Sequence, residues 1–219
     1  METALVLTAL SGCSGMRSGR APAPLRPDPG ADEMNEQIDV VIVGGGPAGM
    51  TAALYLGRAR KRVVVLDEQK PRHAVSAGVH NFLTRDGMDP GQLRQVAWAQ
   101  MERYDSVRLV AGRAHSMARE GDAWQIESSA GRRLTSRAVL LAPGIIDEHP
   151  RIPGYDERWG ASIHHCPYCH GWEMRELPLA VLAHGDAAMH MAPLLQGWSD
   201  DVILISHGQT ITDEERATL

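Results

Sequence analysis

The sequence predicts an α/β protein of two tandem doubly wound domains, with a small β-meander in the first and the second left incomplete. Three observations carry that expectation. A β-rich run, Ile38 to Val43, leads into a Gly-x-Gly-x-x-Gly turn, a helix, a second β-rich run and an acidic residue. The same order of apolar runs returns later, at one constant offset that carries Val40 onto Leu179 and Val63 onto Val202. Between them, short alternating runs separated by Gly-Asp and Ala-Gly turns precede a further buried strand. Both domains are therefore expected to be Rossmann-like.

Composition bounds the rest. The chain has 219 residues, enough for one large or two small domains. Its 43% apolar and 22% charged content is that of a globular protein and excludes a disordered or collagen-like chain. No apolar run approaches the ~18 residues of a membrane span. A net charge of -5 gives no electrostatic reason to expect nucleic acid as a partner. Three cysteines, one alone near the N-terminus, do not make a secreted disulfide framework. The cytoplasm is the expected compartment.

Residues 1–34 read as a disordered extension, rich in Gly, Pro, Ser and Arg after a short apolar run from Thr3 to Leu10. Leu10-Ser11-Gly12-Cys13 resembles a bacterial lipoprotein cleavage box, but Glu2 follows Met1 and no basic residue precedes Arg17. Met34, just before the first strand, is a natural start.

The first domain is placed at 35–145. Gly44 serves the tight turn, Gly46 admits the backbone close to a pyrophosphate, and Gly49 lets the helix pack on the strand. Pro47 and Ala48 open the helix, whose free N–H groups attract phosphate. The strand Val63 to Leu66 ends at Asp67, which can accept both ribose hydroxyls of an adenosine. Residues 70–91 carry little secondary-structure signal; a helix follows over 92–104 and a strand over 107–111. The meander is read at 115–119, 124–128 and 133–135, and a separate buried strand at 138–142, ending in Pro143-Gly144. A parallel sheet with this inserted meander favours FAD over NAD in the turn.

The second domain is placed at 146–219. Its glycine turn has changed: Ala183 replaces the first glycine, and Ser206 stands where an acid or arginine would hold a nicotinamide cofactor's ribose. NADPH binding is therefore expected to be weak or lost. Ahead of this turn lies His164-His165-Cys166-Pro167-Tyr168-Cys169-His170-Gly171-Trp172-Glu173. Two cysteines with two residues between them can close a disulfide at a helix start, where the dipole lowers a thiol's pKa. His170, then His165, are candidates for proton transfer beside them. Zinc and a purely structural disulfide are the competing readings; zinc would need His184 or His190 to complete its ligands. The candidate site has no assigned metal.

Taken together these motifs resemble the low-molecular-weight thioredoxin reductase family of pyridine nucleotide-disulfide oxidoreductases, from about Asp39 to Ser206. Ala142-Pro143-Gly144 stands where that family has Ala-Thr-Gly, which implies a cofactor contact at Gly144. Ile152-Pro153-Gly154 through Trp159-Gly160 follows its approach to the redox centre. Cys166 to Glu173 is most similar to the dithiol oxidase branch, which has His after the second cysteine where reductases proper have Asp. The His-Arg-Arg cluster for the NADPH phosphate is absent after Ile205. The resemblance implies attack of a substrate thiolate at Cys166, with Cys169 facing a flavin and oxygen as acceptor. A small dithiol or a thioredoxin-like protein is the implied substrate, and a homodimer is compatible with it. Family members continue beyond the equivalent of Leu219, so the chain is expected to be a fragment or an interrupted gene product.

Overall fold

The computed structural model describes the backbone of Leu5–Thr8 and residues 37–218. The strands are β1 (Leu5–Thr8), β2 (Ile38–Val43), β3 (Val63–Asp67), β4 (Val107–Ala111), β5 (Ala114–Glu120), β6 (Ala123–Ser128), β7 (Arg133–Leu141), β8 (Ile163–His164), β9 (Leu179–Leu182) and β10 (Val202–Ile205). The helices are α1 (Pro47–Arg58), α2 (Pro90–Met101), α3 (Tyr155–Arg158), α4 (Pro167–His170), α5 (Gly185–Leu195) and α6 (Asp213–Thr218). They form two compact units. The first contains residues 37–74 and 91–147, the second β1, 75–90 and the chain from 148 onward.

The first unit is built on one six-stranded sheet in the order β4-β3-β2-β7-β6-β5. Successive side chains of a strand point to opposite faces, and both faces here are apolar. Val41, Val64 and Leu66 pack with Val110, Ile126 and Leu134 on one side. Ile42, Val63 and Val65 pack against Met50 and Ala53 of α1 and Met101 of α2 on the other. All of β3 is buried, as its unbroken Val-Val-Val-Leu run requires. Asp39 ties β2 to β3 by accepting the Arg62 N–H at 2.9 Å. That bond, with the nearby Arg62, Lys61 and Arg137 charges, holds the Asp39 carboxyl below the usual range.

In the first unit the strand after the meander differs from the sequence reading. The third run of the meander and the last buried strand are a single nine-residue strand, β7. Its first half pairs antiparallel with β6, Gln125 opposite Thr135. Its second half runs parallel to β2, Val41 opposite Val139. No Gly, Pro, Asn or Asp interrupts Thr135-Ser136-Arg137-Ala138, so the chain stays extended and the meander continues the parallel sheet.

In the second unit β9 and β10 are parallel, joined by α5. Ala188, Met191, Ala192 and Leu195 of α5 cover Leu179 and Val181 of β9. This is the predicted echo of the first unit. The sheet order is β10-β9-β1-β8, with β1 antiparallel to both neighbours. Leu5–Thr8 is thus a paired strand within the 1–34 extension. A strand edge presents unpaired N–H and C=O groups, and on β9 that edge is satisfied by an extended segment from the N-terminus. The remaining part of the extension, the lipoprotein-like box at Cys13 and Met34 lie outside the described residues. Segment 75–90, counted with the first domain in the sequence, belongs to this unit and is ordered by an antiparallel bridge between Val79 and Met88.

Candidate active site

The glycine turn of the first unit closes β2 onto α1. Gly44 has φ +103, and a Cβ there would run into the Ala142 carbonyl. A Cβ at Gly49 would run into the Gly44 carbonyl and lie 3.3 Å from Ile42. At Gly46 there is no heavy atom within 4 Å of where a Cβ would stand, so this face of the turn is open. Pro47 occupies the first helical position, where its missing N–H is no loss, and Pro47 and Ala48 are exposed. Gly144 has φ +72, with equally open space around it.

Asp67 is buried at 8% exposure at the end of β3. Its Oδ2 accepts the Gly45 N–H at 2.6 Å. Its Oδ1 accepts the Gln69 N–H at 3.0 Å and Arg94 Nη2 at 2.8 Å. A carboxylate has about four acceptor positions. Three are used within the chain itself, which leaves about one free for a further donor. Gly45, absent from the predicted set, is needed as glycine because a Cβ there would lie 2.8 Å from the Asp67 Cγ. Arg94 was also not foreseen; it donates to the Gly45 carbonyl at 3.1 Å as well. It lies 27 residues from its partner, on the helix α2, and no local spacing announces it.

In the second unit Cys166 and Cys169 form a disulfide with Cα atoms 5.3 Å apart. Cys166 is the N-cap of α4, Pro167 its first residue, and the Cys169 N–H bonds the Cys166 carbonyl at 3.2 Å. The helix is one turn of four residues, so the dipole available to lower a thiol's pKa is small here. Gly171 ends it tightly: a Cβ there would lie 2.8 Å from Trp198 Nε1. Tyr168 packs edge-on to Trp198, and its carbonyl accepts Asn81 Nδ2 at 2.7 Å.

Histidines converge beside the disulfide. His170 stacks on His164 with ring centroids 4.1 Å apart, and His164 Nε2 lies 3.2 Å from the Ala161 carbonyl. His165 lies 6.0 Å from Trp159, centroid to centroid. Both ring nitrogens of His170 are buried without a hydrogen-bond partner. Burial holds its pKa below the ordinary histidine value, helped by His80 and His165 and opposed by Glu173. His80, from segment 75–90, was not predicted; its ring lies 6.1 Å from that of His170. Among the described residues no group of three or more His, Cys, Asp or Glu is placed to hold a metal ion. Among the same residues, no helix is long and apolar enough to cross a membrane.

The second glycine turn is rebuilt, not copied. The left-handed residue is Gly185, φ +57, and the buried Ala183 bonds the Ile205 carbonyl through its N–H at 3.2 Å. Ser206 follows β10, with the left-handed His207 after it.

The fold and the site define a class: an α/β protein with a dinucleotide-type glycine turn in one unit and a Cys-x-x-Cys disulfide in the other. The chain belongs to the pyridine nucleotide-disulphide oxidoreductase family, whose model matches residues 38–218. Within it the chain is thioredoxin reductase-like. It is 36% identical over 179 residues to thioredoxin reductase tcpT of Claviceps purpurea, covering 78% of this chain and 56% of that protein. The crystal structure of HlmI superposes with a TM-score of 0.80 at 44% identity, over 84% of this chain and 58% of that one. An oxidoreductase from Agrobacterium tumefaciens gives 0.75 at 35% identity, over 83% and 62%. The chain thus spans less than two thirds of the length of these relatives.

Proposed function

We propose that the chain is the thiol-disulfide-exchanging part of an FAD-dependent oxidoreductase that oxidises a dithiol, with oxygen as the terminal acceptor. The observation that carries this reading is the Cys166–Cys169 disulfide followed directly by His170, whose two ring nitrogens are buried without a hydrogen-bond partner. His170 in its neutral form takes the proton of a substrate thiol, and His165 is the second candidate. The thiolate attacks Cys166 Sγ, the Cys166–Cys169 bond breaks, and the electron pair passes to Cys169. The second substrate thiolate attacks the mixed disulfide and releases a product disulfide and the Cys166 thiolate. Two electrons and two protons have then left the substrate, and both cysteines are reduced. Bound FAD supplies the two-electron acceptor that reoxidises the pair. Gly44, Gly46, Pro47, Ala48 and Gly49 would hold its pyrophosphate, Asp67 one ribose hydroxyl, and Gly144 would leave room beside it. The open face at Gly46 supports this fit.

The names of the curated relatives favour a second reading, NADPH-driven reduction of a thioredoxin-like partner. Against it stands the second turn, with Ala183 for the first glycine and neither acid nor arginine at Ser206. Loss of charge-assisted contacts of ~1.5 to 3 kcal/mol each takes a micromolar nucleotide site to about millimolar. The experiment is anaerobic titration of the FAD-loaded protein. Dithiothreitol should bleach the flavin band, air should restore it, and micromolar NADPH should leave it unchanged. Fast bleaching by micromolar NADPH would replace the oxidase with a thioredoxin reductase. A flavin-loaded protein that no dithiol bleaches would be a non-catalytic flavin-binding remnant.

A further inference from the structure

The peptide that joins Tyr168 to Cys169 is held from outside its own turn. Within the turn, the Cys166 carbonyl accepts the Cys169 N–H at 3.2 Å and the Pro167 carbonyl accepts the Gly171 N–H at 2.6 Å. The Tyr168 carbonyl comes next, at a helix end that leaves such groups without an intrahelical partner. It accepts Asn81 Nδ2 at 2.7 Å, from 87 residues away. Asn81 stands in a closed loop of the same unit. There the Val79 N–H bonds the Met88 carbonyl at 2.8 Å, and the Gly87 N–H bonds the Val79 carbonyl at 2.9 Å. The Asn81 backbone is left-handed, φ +61, a conformation that glycine adopts freely and asparagine more readily than most residues. Asp86 Oδ1 accepts the Asn81 N–H at 2.8 Å and holds it there. The β-branched Thr84 is left-handed too, φ +72, which marks the loop as strained. A strained, internally bonded loop thus presents one amide to the cysteine turn.

We propose that Asn81 is a positioning residue of the redox turn: its side-chain amide clamps the Tyr168 carbonyl and keeps Cys169 opposite Cys166 for closure of the disulfide. The inference rests on the reading above only in taking Cys166 and Cys169 as the exchanging pair. With the disulfide closed, the S–S bond fixes the turn and the amide meets the carbonyl continuously. With the disulfide open, the turn has more freedom and the bond is made for less of the time. The clamp therefore favours the closed form by that difference, and closing the disulfide strengthens the clamp in return. Once a substrate has opened the pair, the same contact keeps the Cys169 thiol near Cys166, so that reclosure stays intramolecular. The bond lies at the surface, where water competes for both partners, so its effect is that of a single ordinary hydrogen bond.

The test equilibrates the full chain with graded ratios of reduced to oxidised dithiothreitol and reads the fraction of closed disulfide by alkylation and mass. Opening moves two electrons and two protons from dithiothreitol to the cysteine pair, and closure returns them. Asn81→Gly removes the amide and keeps the left-handed backbone, so the fold should be retained. Its pair should open at a ratio about threefold to tenfold less reducing than the wild type, the worth of one hydrogen bond. A tenfold change is about 30 mV for two electrons. Asn81→Ala, which also strains the backbone, should shift in the same direction and lower the urea midpoint as well. A shift below about twofold in Asn81→Gly overturns the proposal, and so does a shift confined to Asn81→Ala, which marks strain alone. A second readout uses the wild type with 15N-labelled asparagine, of which the chain has two, Asn35 and Asn81. The Asn81 side-chain amide protons should exchange with water more slowly with the disulfide closed than open, and equal rates overturn the proposal. Neither readout involves flavin or oxygen. Both effects as stated, in a protein whose flavin no dithiol bleaches, would uphold the clamp and remove the oxidase reading.

Discussion

The Arg94 guanidinium closes on the Asp67 carboxylate at 2.8 Å, Nη2 to Oδ1, and both side chains are nearly buried. The second nitrogen of the same fork donates to the Gly45 carbonyl. Arg94 thus fixes the acid at the end of β3 and the glycine turn after β2 together. A bidentate fork holds such geometry better than a point charge. Arg94→Met should lower stability by about 2 kcal/mol, less than the ~3 to 5 of a fully stranded buried charge, because the Gly45 and Gln69 N–H groups still solvate Asp67. Arg94→Lys should recover only part of it. Urea unfolding of the variants checks both.

Gly46 and Gly49 separate binding from folding. Gly49→Ala places a methyl into the Gly44 carbonyl and should destabilise the chain by about 2 to 3 kcal/mol. Gly46→Ala meets open space, and at φ -74 the backbone suits alanine, so stability should change little. Its methyl would stand where the proposed pyrophosphate approaches, so flavin affinity should fall about tenfold or more. Thermal melts and flavin fluorescence titration distinguish the two effects. A Gly46→Ala protein with normal flavin affinity would remove the phosphate from this face of the turn.

Acid should loosen the fold between pH 7 and 5. The pKa values of His170 and His73 are both held below the ordinary 6.5, in each case first by burial. In that window the unfolded chain binds protons that the folded chain refuses, so stability falls as pH falls and levels off below the folded values. Asp39, whose pKa is depressed, acts only at lower pH, below its ordinary 3.8. Urea midpoints at pH 7.5, 6 and 5 should decline in the wild type and decline less in His170→Gln. Equal slopes would show that His170 does not carry the effect.

Removal of residues 1–34 should expose the edge of β9. In the intact chain, residues Leu179 to Leu182 pair with β1 over four positions. A chain starting at Met34 should therefore lose hydrogen-exchange protection at alternate amides of β9 and at β8, while β2 and β3 keep theirs. Unchanged protection along β9 would show that β1 is not needed by the sheet.

The sequence by itself determined the first β-turn-α-β unit, the tasks of Gly44 and Gly49, the cysteine pair and the echo of β9, α5 and β10. Each of these is local: strand periods, a turn that needs positive φ, and two cysteines one helical turn apart are written in neighbouring residues. Only the tertiary structure decided that β7 is one strand serving two partners and that Leu5–Thr8 fills the place between β8 and β9. It alone brought Arg94 to Asp67 and His80 to Glu173, across 27 and 93 residues respectively. Side-chain partners so far apart follow from how segments cross in space, and a period of two or of 3.6 residues reports only which face a segment buries. The charge on His170 belongs to the same class, because it depends on burial and on neighbours drawn from three separate stretches of chain.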